Sequence, residues 1–137
     1  MTEITDAVAR LVREDPRYKT EAYYFIFEAL GYAQRVLGMG VGKRGSSRAR
    51  EEAERHLTGQ QLCEAIRRYA LEQYGYMAKC VLNSWGVTTT GDFGEIVFNL
   101  IRVEQMRKTP QDKREDFDDN FDFDEAFVES FRISLPD

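Results

Sequence analysis

Residues 19–37, KTEAYYFIFEALGYAQRVL, decide the fold. Ala22, Phe25, Ile26, Ala29, Leu30, Ala33, Val36 and Leu37 recur at spacings of three and four, the period that puts side chains on one side of an α-helix. Tyr23 and Phe27 widen that stripe until little of the circumference is polar. A helix so apolar belongs at the centre of a bundle, where other helices cover it.

Working outward, Ile4, Ala7, Val8, Leu11 and Val12 predict an amphipathic helix over 3–14, with Thr2 as N-cap and Pro16 as its stop. On the other side lies GMGVGKRGSSR, residues 38–48, a glycine-rich basic loop. Thr58 and Gln61 have the form of a capping box. Leu62, Ile66, Tyr69, Ala70 and Tyr74 then supply a buried stripe, and Gly75 ends that helix. A short helix carrying Met77, Val81 and Trp85 closes at Gly86, and VTTTGDFGEIVFNLIRVEQM, residues 87–106, is a turn followed by a helix. Phe93, Ile96, Val97, Leu100 and Ile101 form its core face, and Thr90 or a neighbour caps it. A last helix opens at Asp122, with Glu125 completing a D-x-x-E box and Phe123, Phe127 and Phe131 along one side. The expected fold is all-α: a single compact domain over 1–137 of about six helices. A helix-turn-helix-like arrangement at 76–108 and a minor hairpin near 106–121 are further expectations.

The 137 residues carry a formal net charge of −5, unevenly spread. Residues 109–137 hold three basic and ten acidic side chains, a net of −7, on a mildly basic body. Five of the nine phenylalanines fall in the same stretch, at 117, 121, 123, 127 and 131. Burying one such ring contributes about 1.5–3 kcal/mol, so this acidic segment is expected to pack onto the body through its rings. No run approaches the ~18–20 apolar residues of a membrane span. Asp6, Arg10 and Arg13 interrupt anything like a secretory core in residues 1–20. A cytoplasmic setting is expected, with Cys63 and Cys80 as free thiols.

Several motifs resemble chemistry and fall short of it. Gly40-Val41-Gly42-Lys43-Arg44-Gly45 spells a dinucleotide fingerprint but follows a helix instead of a strand, so it reads as a loop. His56 and Cys63 lie seven residues apart with no orienting acid. Oxygen ligands at calcium-loop spacing begin at Asp118, but Phe123 stands where the turn needs glycine. In the 76–108 unit the start of the second helix offers Thr89, Thr90, Asp92 and Glu95, which would repel DNA. Asp92, Glu95 and Asn99 share one face, which reads as that helix's solvated side.

The elements AYYFIFEAL (22–30), HLTGQQLCEAIRRYAL (56–71), YMAKCVLNSWGV (76–87), GDFGEIVFNLI (91–101) and KTPQDKREDF through DFDEAF (108–127) together resemble a small family of uncharacterised proteins largely restricted to planctomycete and verrucomicrobial bacteria. The resemblance implies a compact bacterial cytosolic protein and carries no activity or catalytic residue with it.

The leading expectation is a non-catalytic helical protein-interaction or regulatory module, with no catalytic residue, cofactor or metal assigned. Phe117, Asp118, Asp119 and Phe121 are the expected contacts to a protein partner; Lys43, Arg44 and Arg48 are the expected anion contacts. The alternatives are a nucleic-acid-binding winged-helix-like regulator using the loop with Lys79, Arg102, Arg107 and Lys108, and a small-molecule binder or enzyme built around Glu28, Tyr32, Glu95 and Asn99. Net acidity weighs against nucleic acid as the partner.

Overall fold

A computed structural model describes residues 2–38, 57–108 and 112–129. The proposed anion contacts Lys43, Arg44 and Arg48, together with His56 and Phe131, lie outside the described residues. Among the described residues five α-helices follow in order: α1 (Thr2–Glu14), α2 (Thr20–Arg35), α3 (Gly59–Tyr74), α4 (Ala78–Ser84) and α5 (Thr90–Arg102). A 3-10 turn, Gly75–Met77, joins α3 to α4; a second 3-10 turn, Arg114–Phe117, and a π turn, Glu125–Glu129, carry the acidic segment.

Among the described residues no strand forms. The expected hairpin near 106–121 is replaced over 112–120 by the 3-10 turn, because Phe117 is drawn into the core and curls the backbone around it. The helix-turn-helix-like unit is present in order only: α5 packs mainly against α2 and the Arg114–Phe117 turn, not against α4.

α2 is central, as its composition requires. Ala22, Tyr23, Phe25, Ile26, Ala29 and Ala33 are buried, and α3 lies along them with Cys63, Ala65, Ile66 and Ala70. Alanines on both helices let the two backbones approach closely. Both Thr58 bonds of the capping box form: Gln61 N–H donates to Thr58 Oγ1 at 3.0 Å, and Thr58 N–H to Gln61 Oε1 at 3.0 Å. Gly86, at φ +93°, lets the α4–α5 turn press on the α1–α2 turn, where Lys19 N–H donates to the Trp85 carbonyl at 3.1 Å.

The acidic segment is folded onto the body. Phe117, Phe123 and Phe127 are buried, and Phe121 packs half-buried against Phe123 and Phe127. Phe93 of α5 stacks on Phe123 with ring centres 5.8 Å apart. Three glycines form the seat. A Cβ on Gly94 would stand 2.8 Å from Phe117 Cβ, and one on Gly59 would stand 2.7 Å from Asp116 Cβ; one on Gly91 would meet the Asp118 carboxylate at 3.1 Å.

Candidate functional site

α5 has two working faces, and they differ in kind. One carries Asp92, Glu95, Asn99 and Arg102, spaced three or four residues apart. This face is not a solvated side, as its polarity suggests; it is the joint between α5, the turn after α1 and the Arg114–Phe117 turn. Asp15 accepts from Arg17 Nε at 2.8 Å and from its Nη2 at 2.7 Å, and Arg17 Nη2 also reaches Glu95 Oε1 at 3.0 Å. The second Glu95 oxygen accepts from Arg114 Nε, whose Nη1 donates to Asp118 at 2.7 Å. Asn99 Nδ2 donates to Asp15 and to the Tyr23 oxygen, each at 3.1 Å, and Arg102 pairs with Glu14.

Behind this row the buried Tyr18 hydroxyl donates to Asp92 Oδ1 at 2.5 Å. The other Asp92 oxygen accepts the N–H groups of Thr88 and Thr89, so it caps α5 as well. Burial alone would raise the Asp92 pKa, but the bonds from Tyr18 and these amides outweigh it and hold the carboxyl below its ordinary value. The Arg17 guanidinium does the same for Asp15, and Arg114 followed by Arg17 does it for Glu95. Burial, with Asp92 beside it, pushes the Tyr18 phenol upward. The acids are thus held ionised and the phenol held neutral, each by a fixed partner. Among the described residues no buried side-chain polar atom lacks a hydrogen bond. The arrangement holds α5, the turn after α1 and the Arg114–Phe117 turn together.

The residues considered for an enzyme-like pocket are therefore not brought together. Glu95 and Asn99 are spent in this joint. Glu28 and Tyr32 lie where α2 meets α3, and there Tyr69 donates to Glu28 at 2.7 Å and Tyr32 to Glu72 at 3.3 Å. Cys63 is fully buried and its thiol is pushed by burial up to about 12, which leaves no thiolate at neutral pH. Of the basic groups considered for nucleic acid, Lys79 pairs with Asp124 and Arg102 with Glu14.

The opposite face of α5 borders a cavity of about 430 Å³. Val97, Phe98 and Ile101 form one wall, and Phe27 and Leu30 of α2 another; Leu57 and Leu62 close the end at the start of α3, and Phe117 the side beneath the 3-10 turn. The rim is polar, with Gln34, Glu104, Gln105, Arg107, Asp112, Lys113 and Asp116. Glu104 holds φ +61°, a left-handed backbone that favours glycine. It follows α5, where Gln105 N–H donates back to the Leu100 carbonyl at 2.8 Å. No spacing in the sequence announces this cavity, because its walls come from four separate segments.

A second, shallower trough of about 390 Å³ lies at the N-terminal end of α5, between Thr88–Thr90 and Asp119, Asn120, Asp122 and Glu125. Of the residues expected to meet a partner, Asp119 and the half-buried Phe121 line this trough, and Asp118 is exposed beside it, paired with Arg114. Phe117 is corrected to a core residue: at 5% exposure, with its ring edge-on to Phe98, it presents nothing to a partner. Among the described residues no group of three or more metal-ligating side chains comes together. The oxygens that suggested calcium are spoken for: Asp118 by Arg114, Asp122 by the Glu125 amide, and Asp124 by Lys79.

Compared with known protein families, the chain matches none. Neither a curated protein nor a solved structure matches it.

Proposed function

We propose that this chain is a non-catalytic interaction module of the bacterial cytoplasm that offers a fixed acidic surface to a basic segment of a protein partner. One observation carries the reading: the rings of the acidic segment turn inward while Asp119, Asp122 and Glu125 point outward around the trough. Free acidic tails pay ordering entropy when they bind; a segment pinned by Phe117, Phe123 and Phe127 has its carboxylates placed beforehand. Asp119 adds to this, since its backbone is held at φ +51°. Two unpaired thiols, Cys63 and Cys80, suit a reducing compartment. Among the described residues no helix is long and apolar enough to cross a membrane.

The test is fluorescence anisotropy with a lysine- and arginine-rich peptide and an acidic control peptide. The basic peptide should bind with an affinity that falls as salt rises, and the pair Asp119→Lys and Glu125→Lys should weaken it at least tenfold, roughly 1.4 kcal/mol. Equal affinity for both peptides, or for wild type and variant, would overturn the reading. So would a gel shift in which duplex DNA is retarded at low salt while the peptide is not.

A further inference from the structure

We propose that Thr90 and Asn120 are positioning residues of the acidic surface: a polar latch between them, separate from the buried rings, fixes the direction in which Asp119 and Asp122 meet a basic partner. This rests on the function proposed above and names what sets the geometry of that surface.

The rings do not supply this by themselves. Phe117 and Phe123 are seated in the core on either side of residues 118–122, with the half-buried Phe121 between them. A seated ring fixes the backbone it hangs from. Each residue further along regains two soft dihedrals, so the winding of the turn needs bonds of its own.

Thr90, in the first turn of α5, is a polar side chain in the core, 1% exposed. Its hydroxyl oxygen accepts the Asn120 N–H at 3.1 Å, and losing a buried bond of this kind leaves a desolvated group unpaired. The Asn120 side chain then closes the turn behind it: Nδ2 donates to the Asp116 carbonyl at 2.8 Å and to the Asp118 carbonyl at 3.4 Å. Asp119 lies inside that closed turn at φ +51°, a left-handed backbone that a residue with a Cβ adopts only when its neighbours hold it there. Asp119, Asp122 and Glu125 are exposed, and all three line the trough together with Asn120.

Placement and charge predict opposite signs for one substitution. If the carboxylates acted by number alone, a further acid at position 120 would strengthen the attraction for a basic segment. If they act by placement, Asn120→Asp removes the Nδ2 donor, sets a carboxylate against the Asp116 and Asp118 carbonyls and loosens the turn.

The experiment compares Asn120→Asp, Thr90→Val and Thr90→Ser in the full chain, by fluorescence anisotropy with the lysine- and arginine-rich peptide and by NMR. Asn120→Asp should bind the peptide more weakly than wild type although it adds a negative charge. Thr90→Val, which keeps the buried volume, should weaken binding roughly threefold to tenfold, the size of one hydrogen bond, and Thr90→Ser should restore it. In the two weakened variants the Cα and Cβ shifts of Asp119 should leave left-handed values while the Phe117 and Phe123 ring resonances stay dispersed, which a general loss of structure would not allow. Asn120→Ala serves if Thr90→Val does not fold. Asn120→Asp binding as tightly as wild type or more tightly, Thr90→Val binding equally, or an Asp119 that stays left-handed in both variants overturns the proposal. Wild type that ignores the basic peptide overturns the function proposed above instead, and the Asp119 shifts still decide whether the latch sets the turn.

Discussion

The two faces of α5 show what it takes to close a surface and what it looks like when one is left open. On the Asp92–Arg102 face every charge has a partner. On the Val97–Ile101 face the same helix borders, among the described residues, a space of about 430 Å³. Loss of a partner should therefore cost stability on the first face, and added bulk at Ile101 should be tolerated on the second, where Gly94, beneath Phe117, is the position closed to a methyl. That contrast separates a packed joint from an open groove.

The largest effect is expected where the joint is tightest. A Cβ on Gly86 would stand 2.0 Å from the Arg17 carbonyl oxygen, and φ there is +93°. Gly86→Ala should cost about 3 kcal/mol or more, read as a fall in the urea midpoint. Gly94→Ala drives a methyl against Phe117 and should cost about 1–3 kcal/mol in the same measurement. If either variant is as stable as wild type, the close approach of the acidic segment and the turns to α5 is not real.

Arg114→Gln removes the partner of Glu95 and Asp118 together, and because those groups are half-exposed its effect should be about 1 kcal/mol. The pH dependence follows from the same pairs. Asp15, Asp92 and Glu95 have folded pKa values below their ordinary ones, so the stability they give is present above an unfolded pKa of about 4 and is lost as pH falls below it. Glu64, held at about 2 by Arg67 with burial opposing, adds to the same acid limb. The melting temperature should be flat from about pH 8 to 5 and drop below about pH 4, and Arg114→Gln should make that drop shallower. Tyr18 has the opposite sign. Its raised pKa gives stability that is complete below about pH 10 and disappears above it. The smallest effect belongs to the open face: Ile101→Phe should be neutral or stabilise by up to about 1 kcal/mol.

Much of the fold was legible because it is local. The 3.6-residue stripes of 19–37 and 91–101, the Thr58–Gln61 box and the stops at Gly75 and Gly86 each depend on a few adjacent residues, and each stands where its spacing puts it. The anchoring of the acidic segment was legible for an energetic reason, since so many rings cannot stay in water. The site was not. Asp92, Glu95 and Asn99 look like a solvated face until Arg17, seventy-eight residues from Glu95, is brought across to them. Gly59 and Gly94 gave a signal that could have been read: glycines just inside otherwise good helices mark a close approach. Glu104 gave none, because a helix that ends on a left-handed residue usually places glycine or asparagine there.

Hydrogen exchange at the amides of residues 112–129 tests the central claim most directly, because both the outward carboxylates and the roof of the cavity depend on that stretch being seated. The amides of Asp118, Asn120 and Ala126, which donate to the Glu115 carbonyl, the Thr90 hydroxyl and the Asp122 carbonyl, should be protected nearly as well as those in the middle of α5. Exchange of all three at the rate of an unstructured peptide, with α5 still protected, would contradict the account.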